Sequence, residues 1–172
     1  MRYLTVVRHA EAVGHGGEGS GDFDRVLTPR GRAQCEELRV WALDKKALGA
    51  YGPPPALVSG AARTRETYAM AFAGTSFVTS LATTDALYNG KRHVRADDVI
   101  FELDNVDVSD DSLLVVTHNP SVLELVVALA DALPDELRRG EFPLAGAYVL
   151  AITDEPVSLR TYELVASFIP TS

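Results

Sequence analysis

The apolar positions of this chain fall into short blocks that alternate between two periods. Tyr3-Leu4-Thr5-Val6-Val7-Arg8 is a β-branched, apolar run with the length of a buried strand. Ala56-Leu57-Val58-Ser59 repeats that character, and Leu113-Leu114-Val115-Val116-Thr117 is its strongest instance. Between these runs the period changes to that of a helix. Leu38, Trp41, Ala42 and Leu48 predict a helix over 29–48, with Thr28 as N-cap and Pro29 in the first turn. Gly49, Gly52 and Pro53-Pro54-Pro55 stop it. A second helix is expected over 62–73, ending before Gly74. A third is expected over 95–105, where Val99, Ile100 and Leu103 keep helical register. Residues 120–133 are almost wholly apolar and predict a well-buried helix. Residues 76–90 follow neither period; a short strand near Phe77-Val78 and an irregular stretch through Asp85, Tyr88 and Gly90 are expected. Two late strands, over 146–152 and 159–166, flank the acidic turn Asp154-Glu155-Pro156 and predict a hairpin.

Strands alternating with helices predict a three-layer α/β/α sandwich. Its central sheet should be mostly parallel, because helices connect the first three strands, with an antiparallel hairpin at the C-terminal end. No linker interrupts the pattern, so residues 1–172 are expected to form one domain. No internal repeat is visible, and no apolar run is long enough to span a bilayer.

Composition narrows the function classes. With 47% hydrophobic and 23% charged residues, the chain can bury a core. The formal net charge of -8 argues against a partner such as nucleic acid or an anionic membrane surface. An anionic substrate would therefore need several cations gathered locally. The lone cysteine, Cys35, can form no internal disulfide and is expected to be a buried, inert thiol. The apolar run before Arg8 is too short for a signal-peptide core, so a cytoplasmic location is expected.

In an open α/β sheet, ligands bind at the carboxyl ends of the parallel strands. The first strand ends at Arg8-His9, the second at Ser59 with Arg63 one turn beyond, and the strongest at His118. Two histidines and two arginines thus converge on one sheet edge. Arginine forks match phosphate oxygens, and a neutral imidazole can attack phosphorus. Asn119-Pro120-Ser121 opens the apolar helix beside His118, and its backbone donors favour an anion there.

Four segments carry a resemblance. Arg8-His9-Ala10-Glu11-Ala12 resembles the Arg-His-Gly/Ala signature of the histidine phosphatase superfamily, also called phosphoglycerate-mutase-like. Arg25-Val26-Leu27-Thr28-Pro29-Arg30-Gly31 resembles its Arg-x-Leu-Thr-x-x-Gly segment. Ser59 to Thr67, with Arg63, resembles its Ser-x-x-x-Arg-x-x-x-Thr segment, and Thr117-His118-Asn119-Pro120 its second-histidine motif. They occur in the family's order. The resemblance implies that His9 is a nucleophile that becomes phosphorylated, that Arg8 and Arg63 bind the phosphoryl group, and that His118 stabilises it. Arg25 is implied as a further phosphate ligand and Asn119 as a substrate-binding position. Short length, Leu87-Tyr88-Asn89 and the His-Asn-Pro form are most similar to the SixA-like branch, the phosphohistidine phosphatases. The implied partner is a phosphorylated protein or a small phosphorylated metabolite, with neither metal nor cofactor required. One departure matters. Many members carry a Glu after the middle strand as general acid, whereas Asp85-Ala86-Leu87-Tyr88-Asn89 has none. Asp85 is the available substitute. Nitrogen leaving groups need less help from an acid, so the absence favours P–N substrates.

Other readings of the same residues exist. Each of the four core residues, taken alone, is compatible with a structural role at a strand or helix end, and His15 and His93 are expected in water. Gly14-His15-Gly16-Gly17-Glu18-Gly19 matches G-x-G-x-x-G in letters, but no helix follows it directly, so a dinucleotide site is not expected. Asp97 and Asp98 lack any compact metal-ligand spacing with a histidine. A non-catalytic module that binds a phosphorylated partner is the reading from another class.

Overall fold

The computed structural model describes residues 2–14, 21–44, 54–75, 78–106, 112–152 and 162–172. One mixed sheet divides the molecule. Its strands are β1 (Arg2–Arg8), β2 (Ala56–Ser59), β3 (Leu81–Thr84), β4 (Ser112–Thr117), β5 (Ala147–Ile152) and β6 (Glu163–Phe168). The order across the sheet is β3-β2-β4-β1-β5-β6. β1, β2, β3 and β4 run parallel, β5 runs antiparallel to β1, and β6 runs antiparallel to β5. The expected sandwich with its C-terminal hairpin is therefore the observed architecture.

The strands at the centre are apolar on both faces because each face is covered. Val7, Val58, Leu114, Val116 and Val149 pack against α1 (Pro29–Leu43) and α2 (Ala62–Ala71), which contribute Leu38, Ala42, Tyr68 and Ala71. Leu4, Val6, Leu57, Val115 and Leu150 pack on the other side. There α3 (Ala96–Asp104) and α4 (Ser121–Leu129) contribute Val99, Leu103, Val122, Leu125 and Val126, and the short α5 (Asp135–Arg138) contributes Leu137. Burial on both sides is what turns a strand into an uninterrupted apolar run rather than an alternating one. Among the described residues no helix is long and apolar enough to cross a membrane.

Local differences from the expected elements have local causes. Helix α1 stops at Leu43, before Leu48, with Asp44 extended and its N–H closing on the Trp41 carbonyl. Residues 45–53 lie outside the described set, as do Phe77 and the acidic turn 154–156. Helix α2 ends two residues early, and Gly74 at φ +70° completes the turn that follows. Helix α4 ends at Leu129 instead of 133 because the late chain claims its backbone. Tyr162 N–H donates to the Leu129 carbonyl at 2.7 Å, and Asp131 N–H to the Tyr162 carbonyl at 2.9 Å. The last strand is accordingly 163–168, later than expected. The ambiguous stretch holds β3 at 81–84 and a 3-10 turn at Asp85–Leu87, and Val78 belongs to no strand. Leu81, Ala82 and Thr83 are exposed on this edge strand, so no apolar pattern marked it.

Candidate active site

At the carboxyl edge of the parallel strands lies a cleft of about 790 Å³ lined by Arg8, His9, Asp22, Phe23, Arg25, Arg63, Tyr88, His118 and Asn119, among others. Volumes of this order suit a small ligand or a side chain presented by a partner.

His9 follows directly on β1. Its backbone N–H donates to the Thr117 carbonyl at 3.1 Å, and its carbonyl accepts from Ala145 N–H at 3.2 Å. Ala145 holds φ +51°, a conformation a residue with a Cβ rarely adopts, to reach that position. The ring is 8% exposed. Its Nδ1 lies 2.7 Å from the Ala10 carbonyl oxygen, which can only accept. The ring proton is therefore on Nδ1, and Nε2 presents a lone pair. Arg63 Nε donates to that atom at 3.3 Å. Burial, joined by the charges of Arg63, Arg8 and Arg25 and opposed by the Ala10 hydrogen bond, brings the imidazole down to about 3. At neutral pH the His9 ring is uncharged, with a lone pair on Nε2 that could attack an electrophile.

Arg63 is the second residue of α2. Thr67, one turn later on the same helix face, donates to the Arg63 carbonyl and accepts from Ala10 N–H at 3.0 Å. This pair explains the spacing of the Arg-x-x-x-Thr segment: one residue faces the nucleophile, and the other anchors the backbone next to it. Thr28 caps α1 by accepting from Gly31 N–H at 2.9 Å, a bond worth about 1 kcal/mol at a typical N-cap. Gly31 is required here, since a Cβ would overlap the Glu11 carbonyl.

His118 follows β4 and is 2% exposed. Burial first, then the neighbouring His9 and Arg63, push it down to about 2. Its ring centre lies 5.2 Å from that of His9. Nε2 is 2.9 Å from Ser59 Oγ at the end of β2, whereas the buried Nδ1 has no hydrogen-bond partner. A serine hydroxyl donating to Nε2 places the ring proton on Nδ1. Arg8 is anchored by Nη1 on the Phe142 carbonyl, and its buried Nε also lacks a partner. Asn119 lines the same cleft with an unpartnered, buried Oδ1. Buried polar atoms are normally satisfied, so such orphans beside one nucleophile mark a place built for a ligand.

No protein-family model and no curated protein matches the sequence. Solved structures do. A candidate phosphohistidine phosphatase SixA from Agrobacterium tumefaciens is 26% identical, with a TM-score of 0.75 over 98% of this chain and 99% of that one. A second SixA candidate, from Nakamurella multipartitia, is 25% identical, with a TM-score of 0.72 over 99% of this chain and 97% of that one. The protein histidine phosphatase SixA complexed with tungstate shares the fold at 17% identity, with a TM-score of 0.72 over 97% and 96% of the two chains. The fold is that of the histidine phosphatases, and the chain is similar to SixA-named structures among them.

All six residues expected in a histidine phosphatase site line this cleft. Arg25 differs from the rest: its Nη1 donates to the Val13 carbonyl, and its Nε and Nη2 reach Asp22 Oδ1 at 2.8 and 2.7 Å. Its fork is engaged with the protein. Asp85 is exposed and is not among the lining residues; its carboxylate lies against Gly60. His93 pairs with Glu124 away from the cleft, and Asp98 caps α3. Gly14 lies in open space, and His15 lies outside the described residues. Cys35 is buried, and burial pushes its thiol up to about 12.

Sequence reasoning missed Asp22, Phe23 and the role of Ser59. Asp22 Oδ2 accepts from Tyr88 O–H at 2.6 Å and from Arg63 Nη2 at 3.2 Å, and its backbone carbonyl accepts from Arg63 Nη1 at 2.7 Å. Partial burial would raise this carboxyl, but the Tyr88 hydrogen bond and the charges of Arg63 and Arg25 bring it down to about 2. Its distance in sequence from Arg25, i to i+3, was the one available signal.

Proposed function

We propose that this protein is a phosphatase that moves a phosphoryl group from its substrate to His9 Nε2 and then to water, and that the substrate is phosphohistidine displayed on a protein. The observation that carries the chemistry is the pair of buried, unpartnered nitrogens, Arg8 Nε and His118 Nδ1, the latter a donor when Ser59 donates to Nε2, beside a histidine whose lone pair is held on Nε2. These donors and Arg63 Nε meet the equatorial phosphoryl oxygens, where negative charge sits during transfer. The Nε2 lone pair forms the P–N bond while the bond to the leaving atom breaks. Water then attacks the phosphohistidine and releases inorganic phosphate.

The substrate choice rests on the acid. Among the described lining residues none offers a carboxylic acid for an alkoxide: Asp22 is ionised, and Glu11 is taken by Thr28 Oγ1 and Arg30. A protonated imidazole leaves without such help. The likeness to SixA-named structures agrees with this choice.

A side-by-side assay tests both parts. A histidine-phosphorylated protein, an aryl phosphate and a sugar phosphate are offered to the same enzyme. Preferred turnover of the first is expected, with an acid-labile phosphoenzyme trapped on quenching. Preference for the sugar phosphate overturns the substrate, and an acid-stable phosphoenzyme overturns the nucleophile.

A further inference from the structure

The cleft has two electrostatic sides. Its floor holds Arg8, His9, Arg63 and His118. Above it stand Asp22, whose side chain is 28% exposed and whose oxygens already accept from Arg25, Arg63 and Tyr88, and the rings of Phe23 and Tyr88. Phe23 meets Tyr88 edge-on with centroids 4.9 Å apart, and Tyr88 meets His118 edge-on at 5.6 Å. The aromatic wall therefore runs from the floor toward the opening. With a phosphoryl dianion on the floor, the charges of the lining Arg8, Arg25, Arg63 and Lys91 are balanced by it, by Asp22 and by Glu11. A cation arriving next meets a carboxylate and two aromatic rings, of which Tyr88 already carries the Arg63 guanidinium at 5.8 Å, with no net repulsion.

We propose that Asp22, Phe23 and Tyr88 form a subsite for the leaving ring of the substrate, with Asp22 as counter-charge to a protonated imidazole and Phe23 as its stacking face. The subsite rests on the phosphohistidine reading above and assigns it residues. A phosphorylated imidazole protonated on its second nitrogen carries both halves of this pattern, an anionic phosphoryl group and a flat cationic ring. When His9 Nε2 attacks phosphorus, the P–N bond to the ring breaks and its electron pair stays on the ring nitrogen. The ring keeps the proton on its other nitrogen and departs as neutral imidazole, so the enzyme transfers no proton. An alkyl phosphate brings no cation for Asp22 and needs a proton that this ionised carboxylate does not hold.

Two measurements test this. The first compares N-phosphoimidazole with acetyl phosphate, which has a good leaving group but neither ring nor cation. In Asp22→Asn the ratio of the two kcat/KM values should fall roughly tenfold toward acetyl phosphate, and in Phe23→Ala severalfold. Equal losses on both substrates overturn the subsite and leave Asp22 with the orientation of Arg63 alone. The second is calorimetric titration of 4-methylimidazole at pH 6 into the vanadate-bound protein. Binding by the unmodified protein, at least about fivefold weaker in Asp22→Asn, supports the subsite. Absence of binding overturns it even where phosphohistidine turnover is found. Binding of the ring without any turnover of N-phosphoimidazole supports the subsite and overturns the proposed substrate.

Discussion

The floor of the cleft is carried on strand ends and the first turn of a helix, whereas its rim is carried on connecting segments. His9 and His118 follow neighbouring parallel strands whose register pairs Arg8 with Thr117. Their spacing is therefore fixed by sheet geometry, and both rings are buried. Asp22, Phe23 and Tyr88 come from a 3-10 turn and from the segment after another. They are only partly buried, and side-chain bonds hold them in place. On the proposed function, the floor supplies charge stabilisation that any phosphoryl compound would use. The rim meets whatever the phosphoryl group is attached to. A rigid floor with a replaceable rim lets one chemistry serve different substrates.

Breaking the floor should cost most. His9→Ala is expected to reduce turnover by roughly 10⁴-fold or more while vanadate still binds weakly. Steady-state rates beside a vanadate titration read both, and a rate matching the unmodified enzyme would remove His9 from its role. Arg63→Ala should lower kcat by about 10²- to 10³-fold, the usual loss for one donor to a charged transition state. Arg25→Ala, whose fork is turned to Asp22 and the Val13 carbonyl, should lose roughly tenfold, mostly in KM. Equal losses in the two variants would erase the distinction between floor and rim.

Ser59→Ala tests the floor from behind. Loss of the hydroxyl on His118 Nε2 frees the ring to shift its proton off Nδ1, and kcat should fall about tenfold. Nitrogen NMR of the ring then reports a mixture of tautomers, and an unmoved proton would show that Ser59 does not set it. The smallest effect sharpens the comparison through stability. Both floor histidines have folded values below the ordinary histidine value of 6.5, at about 3 and about 2. The unfolded chain thus binds more protons. Stability is fully present above pH 6.5 and falls as pH drops toward 3, by up to about 1.4 kcal/mol per pH unit for each histidine. Urea unfolding at pH 6.5 and pH 5 measures the slope, which His118→Gln should reduce by about half.

The same division decided what could be read from residues alone. Arg8, His9 and His118 sit where an apolar run ends, so locating the strands located the chemistry. Arg63 was legible through its distance from Ser59 and its spacing to Thr67. Asp22 and Phe23 lie in a turn without periodicity, after a glycine-rich stretch, and nothing local indicates which way they face. Asp85 misled for the converse reason. It stands close in sequence to Tyr88, but the 3-10 turn leaves it outside the cleft lining. β3 escaped detection because an exposed edge strand has no apolar face to display. The hairpin was legible as two strands, but not the backbone bonds by which Tyr162 shortens α4.

The segment 142–146 holds the proposed nucleophile through its backbone. Phe142 accepts from Arg8 Nη1, Gly146 accepts from Arg8 N–H, and Ala145 in its left-handed conformation donates to His9. His9, Arg63 and His118 all precede residue 119, yet the backbone that aims His9 comes from more than a hundred residues further along. During synthesis the ribosome therefore releases His9 long before the peptide that organises it, with Arg63 and then His118 in between. Contacts of such long sequence separation are late and slow to close. A nascent chain should remain catalytically silent until β5 has docked on β1, so the onset of phosphatase activity is a clock for the completion of the sheet.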